Sequence, residues 1–312
     1  MTHGILIIDK PVKLTSHDVV ARLRRILKTK RIGHTGTLDP FATGVLVMLV
    51  GKATRLAQFL DKDAKEYEAI VRLGFETETG DRTGELRITN YGLRSFSDEE
   101  FENVLKGFRG EIEQTPPMYS AKKVDGRKLY ELARQGIEVD RKPAKITIYE
   151  LEQIELERTQ RQPEKESEDR RPKTEDRAIR VACSAGTYIR TLAEDIGRKL
   201  GTGAHLAELR RTRAGKFNLS KAVTIEELET IVEADKLRDY LISMNDAVSH
   251  LPPIVLSEKQ IEDTRNGKRL PFENDDLADN QTVRMIDATE NLAAIGFYNR
   301  REKAVQPKLV LI

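Results

Sequence analysis

A single carboxylate, Asp39, stands in a stretch whose composition suits a catalytic loop. The stretch, residues 33–44, reads GHTGTLDPFATG and contains three glycines in twelve residues. Glycines at this density indicate backbone dihedrals that other residues avoid, or a close approach of the backbone to a ligand. Pro40 restricts Asp39 to an extended or turn conformation, which predicts that the carboxylate lies on a shaped loop. Asp39 is therefore a candidate catalytic group, although Asp-Pro also occurs in ordinary turns.

Two further side chains are predicted to lie at the ends of regular elements, where they could reach a cleft. Tyr67 begins an alternating stretch, residues 67–73, that predicts a strand, and core packing is the alternative role for this tyrosine. Arg190 falls in the first turn of a helix predicted over residues 189–200, in which apolar residues recur three and four apart. A helix N-terminus with a nearby arginine favours binding of an anion, whereas an arginine on the helix surface needs no ligand.

Cysteine usage and apolar run lengths exclude several protein classes. The single cysteine, Cys183, excludes an internal disulfide framework and a cysteine-based zinc cluster, and its place on a predicted strand suits a small core residue better than a nucleophile. The unbroken apolar run 45–50 is six residues long, far shorter than a membrane span. The N-terminus shows no signal or transit character, so we expect a cytoplasmic protein.

Basic residues are clustered although the net charge of the 312-residue chain is only +2. Any one cluster could be the solvated face of a helix, but three of them together favour an RNA or DNA partner. The clusters are Arg22, Arg24, Arg25, Lys28, Lys30 and Arg31; Lys122, Lys123, Arg127 and Lys128; and Arg210, Arg211, Arg213 and Lys216.

The remaining patterns predict alternating strands and helices, followed by a small β-rich unit. Residues 157–177 contain 14 charged residues among 21 and no aliphatic or aromatic side chain, so we interpret them as a mobile insertion between two strands. Composition shifts near His250, and short strands are predicted over 283–286, 292–298 and 309–312. About sixty residues of this kind can form an auxiliary barrel packed on a larger domain.

Taken together, these segments resemble the bacterial tRNA pseudouridine-55 synthase family of the TruB type over nearly the whole chain. One departure is Lys13, which replaces the glycine usual in the motif at residues 10–16. The matching segments are residues 33–44, which are similar to the family's catalytic loop; 65–67, its tyrosine motif; 117–130, its tRNA-contacting stretch; and 183–191 and 209–211, its later motifs.

The resemblance implies an α+β fold in which helices flank a mixed, mostly antiparallel sheet. It implies a catalytic domain over residues 1–248 and a small PUA-like β-barrel domain for RNA binding over residues 249–312. The catalytic domain would include a tRNA-contacting insert at about 76–136. The reaction would need neither metal nor cofactor, because isomerisation of uridine to pseudouridine involves no redox change or net hydrolysis.

The resemblance also implies a role for each site residue. Asp39 would act as nucleophile or general base and Arg190 as its ion-pair partner, while Tyr67 would stack on the bound uracil and His34 would replace the extruded base. The positions that match the pocket lining are Tyr188 and Leu209. The basic residues expected to contact RNA are Arg24, Arg25, Lys122, Lys123, Arg210 and Arg211.

The expected partner is the T stem-loop of tRNA, bound by a monomer with no obligate protein partner. One alternative is a tRNA-folding chaperone in which catalysis is secondary; it would need His34 and the basic surfaces but not Asp39. Another alternative is a guide-RNA-dependent relative that works in a multiprotein particle. The tRNA-contacting stretch within residues 114–136 argues against that third interpretation.

Overall fold

Alternating and unbroken apolar runs of the sequence become the long strands of a ten-stranded and a five-stranded sheet, and short strands form two further two-stranded sheets. The computed structural model describes residues 2–87, 92–124, 126–155 and 173–312. The strands are β1 (Gly4–Lys10), β2 (Ile32–Thr35), β3 (Thr43–Val50), β4 (Lys65–Leu73), β5 (Glu76–Thr77), β6 (Leu86–Arg87), β7 (Gly110–Gln114), β8 (Lys123–Val124), β9 (Arg127–Lys128), β10 (Ala144–Ile154), β11 (Glu175–Cys183), β12 (Ala204–Ala214), β13 (Phe217–Asn218), β14 (Ala222–Val223), β15 (Pro253–Val255), β16 (Leu270–Pro271), β17 (Thr282–Ile286), β18 (Leu292–Asn299) and β19 (Ala304–Val310).

Helices connect these strands and cover the larger sheet. The α-helices are α1 (Ser16–Ile26), α2 (Ala57–Leu60), α3 (Asp98–Lys106), α4 (Leu129–Ala133), α5 (Ile189–Leu200), α6 (Ile225–Glu233), α7 (Leu237–Tyr240), α8 (Met244–Ala247) and α9 (Glu258–Arg265). Two 3-10 helices span Gly51–Leu56 and Leu219–Lys221. Among the helices of the described ranges, none combines the length and the apolar character that a bilayer crossing requires.

The larger sheet has ten strands and is mixed, as predicted. Eight strands follow the order β14-β1-β3-β12-β4-β11-β10-β7, while β2 pairs with β3 and β13 pairs with β12. The pairs β1–β14 and β3–β12 are parallel, and the other pairs are antiparallel. The α+β class with a mostly antiparallel sheet is therefore confirmed.

The apolar run 45–50 is unbroken because both faces of β3 are buried. Successive side chains of a strand point to opposite faces of the sheet. Val45, Val47 and Leu49 pack in a core that includes residues of the smaller sheet, whereas Leu46 and Met48 pack in a core with α1 and α6. A third core lies farther along the sheet, where α5 packs against β4, β11 and β12.

At the parallel junction of β3 and β12 the two backbones approach closely at Gly44. The φ of Gly44 is +98°, a value that favours glycine. A Cβ atom at Gly44 would lie 2.2 Å from the backbone oxygen of Arg211. Glycine is thus required for β3 to pair with β12 directly after the loop that holds Asp39.

The smaller C-terminal sheet has five strands in the order β15-β17-β18-β19-β16. It is a curled half-barrel in which β15 and β16 remain edge strands and do not pair with each other, so it fits the predicted barrel only in part. Ile286, Ile295 and Leu309 of this sheet share a core with Ile5 and Val47 of the larger one. The last strand begins at Ala304, earlier than the predicted 309–312, and ends at Val310.

The charged insertion predicted over residues 157–177 is shorter at its C-terminal end than expected. Strand β11 already begins at Glu175, which is in register with Leu73 of β4, and Asp176 forms an ion pair with Arg72. Pairing with β4 orders these charged residues, and the composition of the segment alone does not reveal that pairing. Residues 157–172 of the predicted insertion lie outside the described residues.

Lys13 adopts a left-handed backbone conformation at the position where the resemblance leads us to expect glycine. Its φ is +72°, and its N–H donates to the Pro40 carbonyl at 2.8 Å, which ties this turn to the Asp39 loop. A left-handed conformation costs a residue with a Cβ atom about 1–2 kcal/mol. The extra freedom of glycine in the unfolded chain offsets about 0.5–1 kcal/mol of that cost.

We therefore predict that Lys13→Gly raises the free energy of unfolding by about 0.5 kcal/mol, since glycine removes the steric cost. Lys13→Ala is the matched control, because alanine removes the charge and keeps the Cβ atom. Thermal denaturation of both variants measures the effect. A Lys13→Gly variant less stable than Lys13→Ala by the full entropic cost of glycine, about 0.5–1 kcal/mol, would show that the Cβ atom causes no strain here.

Candidate active site

The loop between β2 and β3 places Asp39 in a cleft, and contacts from three other elements fix the loop. Ser16, the first residue of α1, accepts a hydrogen bond from the Leu38 N–H at 2.9 Å. The N–H of Gly36 donates to Asp61 Oδ1 at 3.0 Å, and the Gly36 carbonyl accepts from Arg211 Nη2 at 2.8 Å. The part of the loop that precedes Asp39 is therefore held in place by the protein itself.

Arg190 lies directly against Asp39, although 151 residues separate them in sequence. Its Nε is 3.0 Å from Asp39 Oδ2, and its Nη2 donates to Asp39 Oδ1 at 3.3 Å, so the pair is bidentate. The Arg190 side chain is 5% exposed, whereas 35% of the Asp39 side chain remains open to the cleft. The expected contact is present, and a ligand in the cleft can still reach the carboxylate.

Backbone carbonyls fix the orientation of the Arg190 guanidinium. Nη1 donates to the Thr79 carbonyl at 2.8 Å, and Nη2 donates to the Tyr119 carbonyl at 2.7 Å. The carboxylate of Asp81, which is 4% exposed, lies 3.8 Å from Nη1. Sequence reasoning missed Asp81, because it lies in a polar stretch that reads as an ordinary turn.

The surroundings of Asp39 act on its pKa in opposite directions. Burial raises the pKa of this carboxyl group, and the nearby Asp81 charge adds to the rise, while Arg190 and Lys10 oppose it. Lys10 is fully buried and donates to the Leu14 carbonyl at 2.7 Å. Burial lowers the pKa of Lys10 to about 8, with Asp39 opposing that change. Lys10 was also missed, since it precedes a proline and reads as the end of a strand.

The cleft that contains Asp39 has a volume of about 560 Å³, which lies within the range of known small-ligand pockets. It lies where the loop before β3 meets β4, β12 and the N-terminus of α5. The predicted site residues that line it are His34, Asp39, Tyr67, Tyr188, Arg190, Leu209 and Arg211.

Tyr67 and Arg211 lie opposite each other on neighbouring strands of the cleft. Tyr67 is 8% exposed, and burial raises the pKa of its phenol. Arg211 is 1% exposed and donates from Nε to the Val45 carbonyl at 2.7 Å. Arg211 thus helps to fix the loop while it also lines the cleft, and its predicted contact with RNA stays a prediction.

His34 lies on β2 beside His17, with ring centroids 5.5 Å apart in an edge-to-face arrangement. Burial lowers the pKa of His34, and the nearby His17 adds to this effect. Its buried Nδ1 has no hydrogen-bond partner among the described residues. A neutral imidazole at the edge of the cleft can stack on a base.

The other predicted RNA-binding residues differ in exposure. Arg24, Arg25, Lys122 and Lys123 are exposed. Arg210 is 39% exposed and makes a bidentate ion pair with Asp9, at 2.7 and 3.0 Å.

Cys183 lies beneath the cleft as a core residue. Burial raises the pKa of its thiol to about 11, which disfavours a thiolate nucleophile. Within the described ranges no group of three or more histidine, cysteine, aspartate or glutamate side chains could hold a metal ion.

Two family models cover most of the chain. Residues 24–189 match the N-terminal domain of the TruB family of pseudouridylate synthases, and residues 190–249 match the C-terminal domain of tRNA pseudouridylate synthase B. A tRNA pseudouridine synthase B from Bacillus cytotoxicus is 42% identical, with 99% of this chain and 97% of the relative covered. The protein of that name from Geobacillus thermodenitrificans is 46% identical, with 86% of each chain covered.

Solved structures show the same fold at lower identity. A chain in the crystal structure of a Cbf5-Nop10-Gar1 complex is 28% identical, with a TM-score of 0.72 over 99% of this chain and 85% of that one. A chain in an H/ACA RNP bound to a substrate RNA containing 2′-deoxyuridine gives 27% identity and a TM-score of 0.71 over the same shares. By its family-model matches and its relatives, this chain belongs to the TruB family of pseudouridylate synthases.

Proposed function

We propose that this protein is a stand-alone synthase that isomerises uridine-55 in the T arm of tRNA to pseudouridine. The single observation that supports this most is the carboxylate of Asp39, which lies in the stretch similar to the family's catalytic loop. It is partly open to the cleft and is paired with Arg190. Relatives that are 40–46% identical over most of the chain have the name tRNA pseudouridine synthase B.

The reaction rearranges bonds within one nucleotide. The bond between uracil N1 and ribose C1′ breaks, the base rotates, and C5 bonds to C1′. The proton on C5 is then released, and N1 gains a proton. Asp39 begins this sequence as nucleophile or general base, and either role requires its ionised form. Arg190 stabilises that form with a hydrogen bond from Nη2, a close ionic contact from Nε and a full positive charge.

A uridine stacked in the T loop must leave its stack to reach Asp39. Extruding a base costs a few kcal/mol. Stacking on an aromatic side chain contributes roughly 1–3 kcal/mol per base, so Tyr67 can offset much of that cost. Leu209 and Tyr188 line the same pocket, and His34 lies at its edge, where it can fill the gap that the base leaves.

Contacts outside the cleft would hold the tRNA. The exposed residues Arg24, Arg25, Lys122 and Lys123 supply positive charge for backbone phosphates. Arg210 can contribute only by sharing its pairing with Asp9. The insert at about 76–136 would contact the T arm, and residues 249–312 would form a PUA-like RNA-binding domain after a catalytic domain over residues 1–248. The protein would act as a cytoplasmic monomer without an obligate protein partner.

We predict that Asp39→Asn abolishes turnover and leaves tRNA binding within a few-fold of wild type. Loss of a positioned acid–base group costs roughly 100- to 10,000-fold or more in rate, whereas the binding surfaces are untouched. Tritium release from tRNA labelled at uridine C5 measures turnover, and filter binding measures affinity. Asp63→Asn, a partly buried carboxylate outside the cleft lining, is the matched control. Turnover close to wild type in Asp39→Asn would remove Asp39 from the catalytic role.

We predict that the acidic limb of the kcat/KM profile lies at a higher pH than the pKa of an ordinary aspartate would give. Burial raises the pKa of Asp39, and only the ionised form is active, so activity is lost as the pH falls through that raised pKa. Replacing Arg190 by Gln removes the opposing charge and should move the acidic limb further upward. Tritium release between pH 4 and 9 on prefolded tRNA tests this. If the acidic limb of Arg190→Gln lies at the same pH as in wild type, Arg190 does not control the ionisation of Asp39.

We predict that replacing both Lys122 and Lys123 by alanine weakens tRNA binding and flattens its salt dependence. Each phosphate contact contributes about 0.7–0.9 to the slope of log K against log salt, so the slope should fall by about 1.4–1.8. Lys236→Ala, an exposed lysine outside the insert and the C-terminal unit, is the control. A slope equal to wild type in the double variant would place these lysines away from phosphates.

A further inference from the structure

We propose that Gln114 is a positioning residue for the Asp39–Arg190 pair, because its side-chain amide fastens the N-terminus of α5 to the insert. Gln114 is the last residue of β7 and is 3% exposed. Its Nε2 donates to the Tyr188 carbonyl at 3.0 Å, and its Oε1 accepts from the Tyr188 N–H at 2.7 Å. One amide group thus pairs with both polar groups of one backbone residue, as a neighbouring strand would.

The position of Tyr188 makes this contact important for α5. Tyr188 is the N-cap residue of α5, and its side chain forms no capping hydrogen bond. The first N–H groups of a helix have no partner within the helix, so outside groups must fix that end. Arg190 follows two residues later, in the first turn, so a shift of the helix end moves the guanidinium relative to Asp39.

A second contact joins the same stretch of chain to Arg190. The segment 114–120 runs from Gln114 through Pro116 and Pro117, whose rings restrict the backbone. Its Tyr119 carbonyl accepts from Arg190 Nη2 at 2.7 Å. The segment therefore holds the start of α5 through Gln114 and the guanidinium itself through Tyr119.

The segment 114–120 leads directly into the proposed RNA contacts Lys122 and Lys123. A rigid connection between them allows the placement of the insert on RNA to affect the geometry of the catalytic pair. This part of the inference rests on the proposed function, whereas the effect of Gln114 on the ionisation of Asp39 does not.

The test compares Gln114→Met, which keeps the approximate volume and removes both hydrogen bonds, with wild type. We expect kcat to fall by about 10- to 100-fold, as for small displacements of catalytic groups. KM and tRNA affinity should change less than about 2-fold, since the RNA-contacting side chains stay in place. The acidic limb of the pH profile should move upward because Arg190 then stabilises ionised Asp39 less well.

The titration of Asp39, monitored by 13C NMR of the carboxyl carbons, is a readout that does not depend on activity. In Gln114→Met this titration should occur at higher pH than in wild type. If wild-type protein proves inactive on T-arm RNA, the proposed function fails, and the NMR titration still decides the role of Gln114. Gln114→Leu, which removes the same two hydrogen bonds and adds no charge, replaces Gln114→Met in both measurements if the latter does not fold.

Asn245→Leu is the matched control, because it also removes a buried amide, one bonded to Arg284 far from the cleft. It should lower thermal stability and leave kcat and the Asp39 titration unchanged. The inference is overturned if Gln114→Met behaves like Asn245→Leu, with a lower melting temperature and an unmoved titration.

Discussion

The catalytic cleft depends on one ion pair whose two members face different environments. Arg190 is almost fully enclosed, whereas Asp39 keeps part of its surface open to the cleft. Burial alone would favour the neutral acid, and the guanidinium counteracts that tendency without covering the reactive oxygens. A buried guanidinium must itself be satisfied, and the carbonyls of Thr79 and Tyr119 complete its hydrogen bonds. The insert and α5 are therefore part of the electrostatic environment of Asp39.

The strands at the centre of the larger sheet also place buried cations near Asp39. The parallel pairing of β3 and β12 brings Arg211 beneath the Asp39 loop, where its guanidinium bonds to the carbonyls of Gly36 and Val45. Lys10 lies on the adjacent strand and is satisfied by carbonyls of the following turn. Together with Arg190 of α5, these buried cations lie near the partly open carboxylate of Asp39, so the positive charge around Asp39 comes from enclosed side chains on strands and a helix.

The described part of the insert between β4 and β10 has two features that bear on the proposed reaction. One is the exposed lysine pair that follows the segment 114–120, and the other is the contact of that segment with α5. Both features belong to one short, proline-stiffened piece of chain, so the proposed RNA contacts and the cleft are joined by the same rigid segment.

The sequence by itself predicted the main elements and the candidate residues that the structure brings together in one cleft. Apolar periodicity predicted β3, α1 and α5, because burial of one face sets the spacing along the chain. The dense loop motif identified Asp39, and the resemblance identified Arg190. The sequence did not determine that the Arg211 side chain is buried while that of Arg210 is exposed, because this depends on which face of β12 packs against the Asp39 loop. Nor did it reveal Asp81, Lys10 or Gln114, or the strand pairing of Glu175. The roles of these residues come from contacts between segments far apart in the chain, and only the tertiary structure decides those contacts.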